Sequence, residues 1–128
     1  MQLGPPILGW QLFQASATNI ITTPSTTDVV MPGMTITPGP GDYLVWFSVV
    51  LGGTLAGSIS YASVYANAVK IAHTERRHDV LLANTGSGIA INCLVQGLAA
   101  GQAIDVRWRT TAGSAAALQR TLNLLRGG

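Results

Sequence analysis

The chain has 128 residues, of which 48% are hydrophobic and only 9% are charged. This length suits one domain with one core, and the high apolar content argues against intrinsic disorder. The formal net charge of +2 comes from seven Lys and Arg against five Asp and Glu. A chain with so few, scattered cations does not offer the several phosphate contacts that sequence-independent nucleic-acid binding needs. We therefore expect a single domain with no nucleic-acid partner.

The low charge also predicts an unusual surface, made mainly of Thr, Ser, Asn, Gln, Gly and Ala. About a quarter of residues are charged in an average globular chain, and a surface far below that level is weakly protected against association. Two interpretations follow. Other copies or another protein cover much of the surface, which we favour, or the chain is a small secreted domain with an uncharged exterior.

Neither a secretory nor a membrane segment is expected. The N-terminus lacks a basic region, and Pro5 and Pro6 interrupt it. The longest apolar run, residues 43–51, is far shorter than the ~20 residues that span a bilayer. The single cysteine, Cys93, lies in an apolar run and has no internal disulfide partner, so we expect a small buried side chain.

Gly and Pro punctuate the chain at short intervals, with β-branched and aromatic residues between them. This pattern is typical of many short strands joined by turns. Residues 7–21 are predicted as one edge strand or two, and residues 22–27 as a loop. Short strands are predicted at 28–31 and 34–37, before the breaker at residues 38–41.

The clearest predicted strand is residues 42–51. Tyr43, Val45 and Phe47 share one side of it, and Leu44 and Trp46 share the other. Both sides are largely apolar. Such a strand lies either between two packed layers or between a core and a subunit interface.

The second half of the chain continues in the same way. Further strands are predicted at residues 58–65, 69–71, 80–83, 89–95 and 103–110. Residues 84–88 are predicted as a turn. In the last of these strands we expect Trp108 to face the core, while Arg107 and Arg109 face solvent or a partner.

The C-terminal segment is open to two interpretations. Ala115, Leu118, Leu122 and Leu125 fall at helical spacing, with Ser114 as an N-cap. The same residues also fit a strand with Leu122 and Leu124 inward. The local pattern slightly favours the helix, and the strand is chosen on the resemblance described below.

The only charge cluster covers residues 73–79 and is predicted to be an exposed loop. Its two histidines and carboxylates do not have a spacing that converges on a metal, since zinc sites need three or four ligands held together. We expect a solvated loop with Arg–carboxylate pairs. If the loop has a function, docking to a neighbouring subunit or shell is favoured over catalysis. The residues of this predicted docking loop are His73, Glu75, Arg76, Arg77 and His78.

No pattern of catalytic residues is present. The chain has no Gly-x-Ser-x-Gly, and no Lys follows Gly86-Ser87-Gly88 as a phosphate-binding loop would require. The five carboxylates lie in separate regions, so a glycosidase pair would have to come from distant loops. We therefore expect neither an enzyme nor a cofactor or metal.

Four segments together resemble the jelly rolls of tumour necrosis factor and of the complement globular heads. They are residues 40–47 (PGDYLVWF), 64–71 (VYANAVKI), 98–106 (LAAGQAIDV) and 120–125 (RTLNLL). They occur in the order of that family. Gln102 departs from the family because an acidic residue usually follows Gly101, and the last segment lacks the family's aromatic residue. These departures leave a receptor or complement function without support.

The resemblance implies an all-β, antiparallel jelly-roll sandwich of about ten strands that forms a homotrimer. Residues 28–128 would form the jelly roll, and residues 1–27 an N-terminal arm or edge strand of the same single domain.

The resemblance also names interface residues. It places Tyr43, Val45 and Phe47 on the side that approaches the trimer axis. Arg120 shares the parity of inward-facing leucines, so either a bulge turns it out or it pairs with an acid such as Asp105 in an interface.

Jelly rolls of this kind recur in bacteriophage particles, as trimeric decoration (cement) proteins and as fibre or spike heads. We therefore expect a decoration protein on the virion exterior, made in the host cytoplasm, whose partner is the major capsid protein. The alternative is a tail-fibre or spike head that binds a host glycan or surface protein. A trimeric signalling ligand is a third class, which would call for a signal peptide or membrane stalk.

Overall fold

The computed structural model describes residues 10–127. Its strands are β1 Gln11–Ala17, β2 Ile21–Thr23, β3 Val29–Ile36, β4 Gly41–Gly53, β5 Ile59–Ala66, β6 Val69–Lys70, β7 Arg76–Asp79, β8 Thr85–Leu98, β9 Ile104–Thr110 and β10 Ala115–Arg126. One turn of 3-10 helix, Ala72–Thr74, lies between β6 and β7. Residues 10–127 contain no α-helix, and the predicted all-β class is confirmed.

The strands form two sheets of five. Sheet A has the order β1-β10-β4-β8, and β2 also pairs with β10. Sheet B has the order β3-β9-β5-β6, and β7 also pairs with β5. Every pairing is antiparallel. The two sheets pack face to face as an antiparallel jelly-roll sandwich, as expected.

The core lies between the sheets and follows from strict alternation along the long strands. In β4, Tyr43, Val45 and Phe47 are buried, and in β10 Leu122 and Leu124 are buried. Sheet B contributes the largest core side chain, the buried Trp108 of β9, as the sequence predicted.

The region between β6 and β8 differs from the prediction in two places. Residues 76–79, predicted as loop, form β7 and pair with β5, because the open edge of β5 accepts backbone hydrogen bonds whatever the side chains. Residues 80–83, predicted as a strand, form no strand, and the predicted turn at 84–88 already belongs to β8.

Glycines allow β8 to begin this early. Gly86 lies opposite Gly52 of β4, and a Cβ on Gly86 would come within 2.9 Å of the backbone oxygen of Leu51. A Cβ on Gly52 would clash with the backbone oxygen of Thr85. The close approach of β4 and β8 therefore requires glycine here, where the sequence suggested only a turn.

The C-terminal segment is a strand, β10. The pairing of β10 with β4 shifts register between Ala117 and Arg120, which is a β-bulge. Leu118 and Gln119 therefore both lie outward, and Arg120 points inward with Leu122. The bulge interrupts the inward–outward alternation once. For this reason the apolar residues of β10 fall at a spacing that also fits a helix.

The N-terminal segment forms one edge of sheet A. Both β1 and β2 pair with β10, so residues 11–23 are integrated into the sandwich. Residues 1–9 of the predicted arm lie outside the described residues.

Arg120 is 3% exposed, so it is not turned outward as the first predicted alternative required. Pairing with an acid in an interface, the second alternative, stays a prediction. The bulge turns its side chain inward, and no carboxylate lies within salt-bridge distance of it among the described residues. Nη1 donates to the backbone oxygens of Asn19 at 2.7 Å and Leu118 at 2.8 Å, and Nε donates to that of Pro32 at 3.3 Å. Burial lowers the pKa of Arg120.

Substitution of Arg120 tests whether its buried guanidinium stabilises the fold through hydrogen bonds to backbone oxygens. Arg120→Ala removes the buried guanidinium that donates to three backbone carbonyl oxygens, and we expect it to lower the free energy of unfolding by about 3 kcal/mol. Urea unfolding at a fixed chain concentration measures the change. Arg76→Ala is the control, because within residues 10–127 the exposed Arg76 donates only to backbone oxygens of its own turn. Equal effects of the two substitutions would contradict the assignment.

Candidate interaction surface

The two outward faces of the sandwich differ sharply in charge. All seven Lys and Arg and all five Asp and Glu of the sequence lie among the described residues. Nine of these twelve lie on or beside sheet B: Asp28, Lys70, Glu75, Arg76, Arg77, Asp79, Asp105, Arg107 and Arg109. Of the other three, Arg120 is buried, and Asp42 and Arg126 lie together at one end of sheet A. The rest of the outward face of sheet A carries no charged side chain.

Sheet B holds its charges in a connected network. Arg109 Nη1 lies 2.9 Å from Asp28 Oδ1 and 2.7 Å from Glu75 Oε1. Lys70 Nζ reaches the same two carboxylates, at 3.3 Å and 2.5 Å. The hydroxyl of Tyr65 donates to Asp28 at 2.5 Å. The four charges of this network sum to zero.

Two cation–π contacts complete the outward face of sheet B. The guanidinium carbon of Arg109 lies 4.0 Å from the ring centroid of Tyr61, and that of Arg107 lies 4.4 Å from that of Tyr65. Arg107 also pairs with Asp105 at 2.9 Å. Each of these two cations is thus neutralised and stacked within the chain. Of the nine charged residues on or beside sheet B, eight form ion pairs within residues 10–127, and the exposed Arg76 does not.

The network changes the acidity of its carboxyl groups. Burial raises the pKa of Asp28, but hydrogen bonds from Tyr65 and Arg109 and the charge of Lys70 outweigh burial, so the pKa lies below its usual value. The hydrogen bond from Arg109 is the main reason why the pKa of Glu75 is lowered. Both groups therefore stabilise the fold in their charged form.

The outward face of sheet A is organised in three transverse rows, each crossing all four long strands. The leucine row is Leu12, Leu125, Leu44 and Leu94. The amide row is Gln14, Asn123, Trp46 and Asn92. The hydroxyl row is Ser16, Thr121, Ser48 and Ala90. Members of a row lie directly opposite one another in the antiparallel register. The leucine row is uniform, whereas Trp46 interrupts the amide row and Ala90 ends the hydroxyl row.

Within the amide row, Gln14 Nε2 donates to Asn123 Oδ1 at 2.8 Å. The exposed Trp46 lies between Asn123 and Asn92. A shallow groove runs along this row and is lined by Leu12, Trp46, Asn92 and Asn123 among others. A second groove crosses the hydroxyl row towards the bulge of β10.

The structure places the residues predicted for the trimer axis in the core of the single chain. Tyr43, Val45 and Phe47 are buried in the core and face sheet B, so their side chains do not reach the outward face of sheet A. Leu44 and Trp46 occupy that face in β4. Alternation separated these two sets in the sequence, but which set faces outward depends on the strand pairings.

The predicted docking residues do not converge on one spot. Glu75 belongs to the ion network, whereas His78 Nδ1 lies 2.9 Å from Ser87 Oγ of β8. Arg77 pairs with Asp79 at 2.6 Å, and His73 is exposed. Docking by this segment stays a prediction.

Three further features concern a possible metal site, the single thiol and membrane-spanning helices. Across residues 10–127 no three His, Cys, Asp or Glu side chains are grouped as a metal site. Cys93 is buried, and burial raises the pKa of its thiol. No helix in the described part of the chain is long and apolar enough to cross a membrane.

The fold can be compared with known proteins. No family model matches the sequence, and no curated protein matches it. Solved structures do match. VP2 of the infectious bursal disease virus subviral particle aligns with a TM-score of 0.64 at 9% identity, over 93% of this chain and 33% of VP2. The chain thus spans about a third of the length of that capsid protein.

A second match is close to this chain in length. Eiger TNF from S. frugiperda aligns with a TM-score of 0.56 at 14% identity, over 90% of this chain and 92% of its own. Latent PorU from Porphyromonas gingivalis aligns with a TM-score of 0.51 at 13% identity, over 92% of this chain and 13% of its own. Identities this low show the fold alone. The fold is a jelly roll of the type shared by a viral capsid protein and a tumour-necrosis-factor ligand.

The ion network predicts a specific dependence on pH. A carboxyl group whose pKa is lowered by folding stabilises the fold at pH values above its pKa in the unfolded chain. This contribution is lost as the pH falls through its pKa in the folded protein. Glu75→Gln should therefore lower the free energy of unfolding by about 1 kcal/mol at pH 7. At pH 3 the wild-type carboxyl group is largely protonated when unfolded, and the difference should shrink.

Urea unfolding of the wild type, Glu75→Gln, Arg109→Gln and the double variant measures the coupling between the two side chains. We expect a favourable coupling at pH 7 that is smaller at pH 3. A coupling of equal size at both pH values would contradict an ionic origin.

Proposed function

We propose that this chain is a structural protein of a virus particle, a bacteriophage capsid decoration protein that binds as a homotrimer across coat subunits and stabilises the shell. The observation that carries the proposal is the unequal distribution of charge. Nine of the twelve charged residues lie on or beside sheet B, whereas the outward face of sheet A carries rows of leucine, amide and hydroxyl side chains.

This distribution is what a covered face requires. A surface that stays in water is best kept soluble by interspersed charges, and burial of a charged group in an interface carries a desolvation cost. Sheet A can be covered without burying a charge other than those at its end. Sheet B carries eight charges that are paired internally and one exposed, unpaired cation, Arg76, among the described residues, and it suits the solvent side of an assembly.

The fold is a second and separate observation in support of a virion role. The VP2 subviral particle contains a jelly roll that aligns with 93% of this chain. The partner would be the major capsid protein, and the site would be the capsid exterior. The mechanism would be linkage: a protein that binds only assembled coat subunits raises the free energy needed to separate them.

A second candidate is a fibre or spike head that binds a host glycan. One observation favours it: the exposed Trp46 lies between Asn92 and Asn123, with Gln14 in the same row. An aromatic ring beside amide groups offers both stacking and hydrogen bonds to a sugar. This function requires that the groove along the amide row stay open, so it competes with burial of the same face.

The solution mass tests the homotrimer of the first candidate. We expect light scattering after size-exclusion chromatography to give three times the chain mass of 13.3 kDa. A monomer at all concentrations would contradict the homotrimer. In that case, quenching of tryptophan fluorescence by oligosaccharides in the wild type, and its loss in Trp46→Ala, would test the glycan-binding candidate.

The decoration role is tested on particles of the encoding phage that lack the chain. Added protein should bind in a saturable way and raise the unfolding temperature of the shell. Unassembled coat protein is the control, because linkage predicts no stabilisation where no assembled site exists. Saturable binding without any rise in shell stability would contradict a cementing function.

A further inference from the structure

We infer that the free edge of β8 pairs with the same edge of a second copy of this chain, antiparallel and about a two-fold axis at Asn92. The pairing joins two sandwiches through one continuous sheet. The inference goes beyond the proposed function, because this contact uses the edge of a strand rather than the outward face of sheet A, and it does not depend on the homotrimer.

One side of β8 is open to a further strand. β8 has 14 residues, and among residues 10–127 it pairs only with β4. In an antiparallel ladder, alternate residues direct their N–H and C=O groups away from the neighbouring strand. No backbone hydrogen bond from another segment of residues 10–127 reaches these groups. The edge of β8 is therefore a row of donors and acceptors that a further strand could use.

The other edges of the two sheets are protected against such pairing. β3 contains Pro32, and its register with β9 is interrupted. The opposite edge of sheet B consists of strands of 2 and 4 residues that carry Lys70, Arg76 and Arg77. The first edge of sheet A is divided between β1 and β2, of 7 and 3 residues. Proline, irregular pairing, positive charge and short strands are the features that prevent association of edges.

β8 lacks all of these features over most of its length. From Thr85 to Val95 its register with β4 is uninterrupted. The sequence of β8, TGSGIAINCLVQGL, contains neither proline nor a charged residue. A long, regular and uncharged edge of this kind is the surface on which strands of other chains add.

The sequence of β8 favours a second copy of the same strand as the partner. Residues 89–95 read Ile-Ala-Ile-Asn-Cys-Leu-Val, so similar side chains lie at equal distances on either side of Asn92. A two-fold axis at Asn92 brings Ile91 of one copy opposite Cys93 of the other. It likewise brings Ile89 opposite Val95. All four side chains are apolar and lie on the inward side of β8, so the two cores meet without a buried polar side chain.

The outward side chains match about the same axis. Leu94, which is 63% exposed, falls opposite the smaller Ala90 of the other copy. Asn92 meets Asn92 of the other copy on the axis, where each amide offers a donor and an acceptor to the other. A strand of another protein would have to reproduce this order of side chains, whereas a second copy provides it by symmetry.

The size of the contact predicts a weak association. A single edge buries far less than the about 800 Å² per partner of a stable interface. We therefore expect pairs in concentrated solution and unpaired molecules in dilute solution, including the dilute conditions of a chromatography column. Sedimentation velocity over a range of concentrations should show the mass of the wild type doubling as the concentration rises.

A charge on the axis tests the register. Asn92→Asp places two carboxylates side by side, and their repulsion opposes pairing at pH 7. We expect at least a tenfold rise in the concentration at which half of the molecules are paired. At pH 4 such a close pair of carboxyl groups takes up a proton, and pairing should return, with the wild type measured alongside at both pH values.

Leu44→Lys is the control that separates the edge of sheet A from its face. Leu44 lies next to Leu94 in the leucine row, but it belongs to β4 and is one strand away from the edge. Both side chains are exposed in the single chain, so neither substitution disturbs the core. We expect Leu94→Lys to abolish pairing and Leu44→Lys to preserve it. Loss of pairing in Leu44→Lys together with normal pairing in Asn92→Asp would show that the face makes the contact, and the inference would be wrong.

Hydrogen exchange of backbone amides, measured by NMR, identifies the paired atoms. In dilute solution the N–H groups of residues 89–95 that face away from β4 should exchange rapidly. In concentrated solution the same groups should be protected, at alternate residues along the strand. A wild type whose mass and exchange are the same at all concentrations would overturn the inference and leave the homotrimer unaffected. A monomer that doubles to a dimer would support the inference and contradict the homotrimer.

Discussion

The register of β10 between β1 and β4 is the constraint on which the rest of the molecule depends. A slip of one residue in a strand moves every side chain to the opposite face, so the rows of sheet A exist only in this register. The bulge at Leu118 and Gln119 resets the alternation once. It thereby turns Arg120 inward, where backbone carbonyls hold its guanidinium, and aligns Leu125 with Leu12 and the other leucines. One irregularity thus links the buried arginine, the edge strands and the outward face.

The separation of charge between the sheets has a simple energetic meaning. On sheet B, Arg109, Asp28, Glu75 and Lys70 neutralise one another at hydrogen-bond distance, so covering that face would require desolvation of groups that are already satisfied. On sheet A, covering the rows removes apolar surface from water without the desolvation of a charged group. Both faces are outward in the single chain, but they are not equivalent candidates for contact, because association is favourable only where burial exceeds desolvation.

Local patterns in the sequence predicted the all-β class, the inward Trp108 and the inside–outside alternation of the long strands. They could not decide which side of β4 faces outward, because Tyr43 and Phe47 are as apolar as Leu44 and Trp46. That choice depends on pairings between distant segments. The rows were invisible for the same reason, since each combines residues from four strands. The buried Arg120 was equally inaccessible, because its acceptors at residues 19 and 32 lie far away in sequence.

The two candidate functions make opposite demands on Trp46. A glycan site needs this ring and its flanking amides open to solvent, whereas a partner that covers sheet A, as the proposed decoration role requires, would enclose them. The neighbouring rows help to decide between these demands. A sugar carries hydroxyl groups on most of its surface, so an adjacent strip of four leucines adds little to its binding free energy. An exposed apolar strip of this kind promotes association between proteins. The same strip beside an amide row gives an interface both attraction and register, as apolar and polar layers do in other assemblies. The arrangement of all three rows, rather than the tryptophan alone, therefore favours assembly.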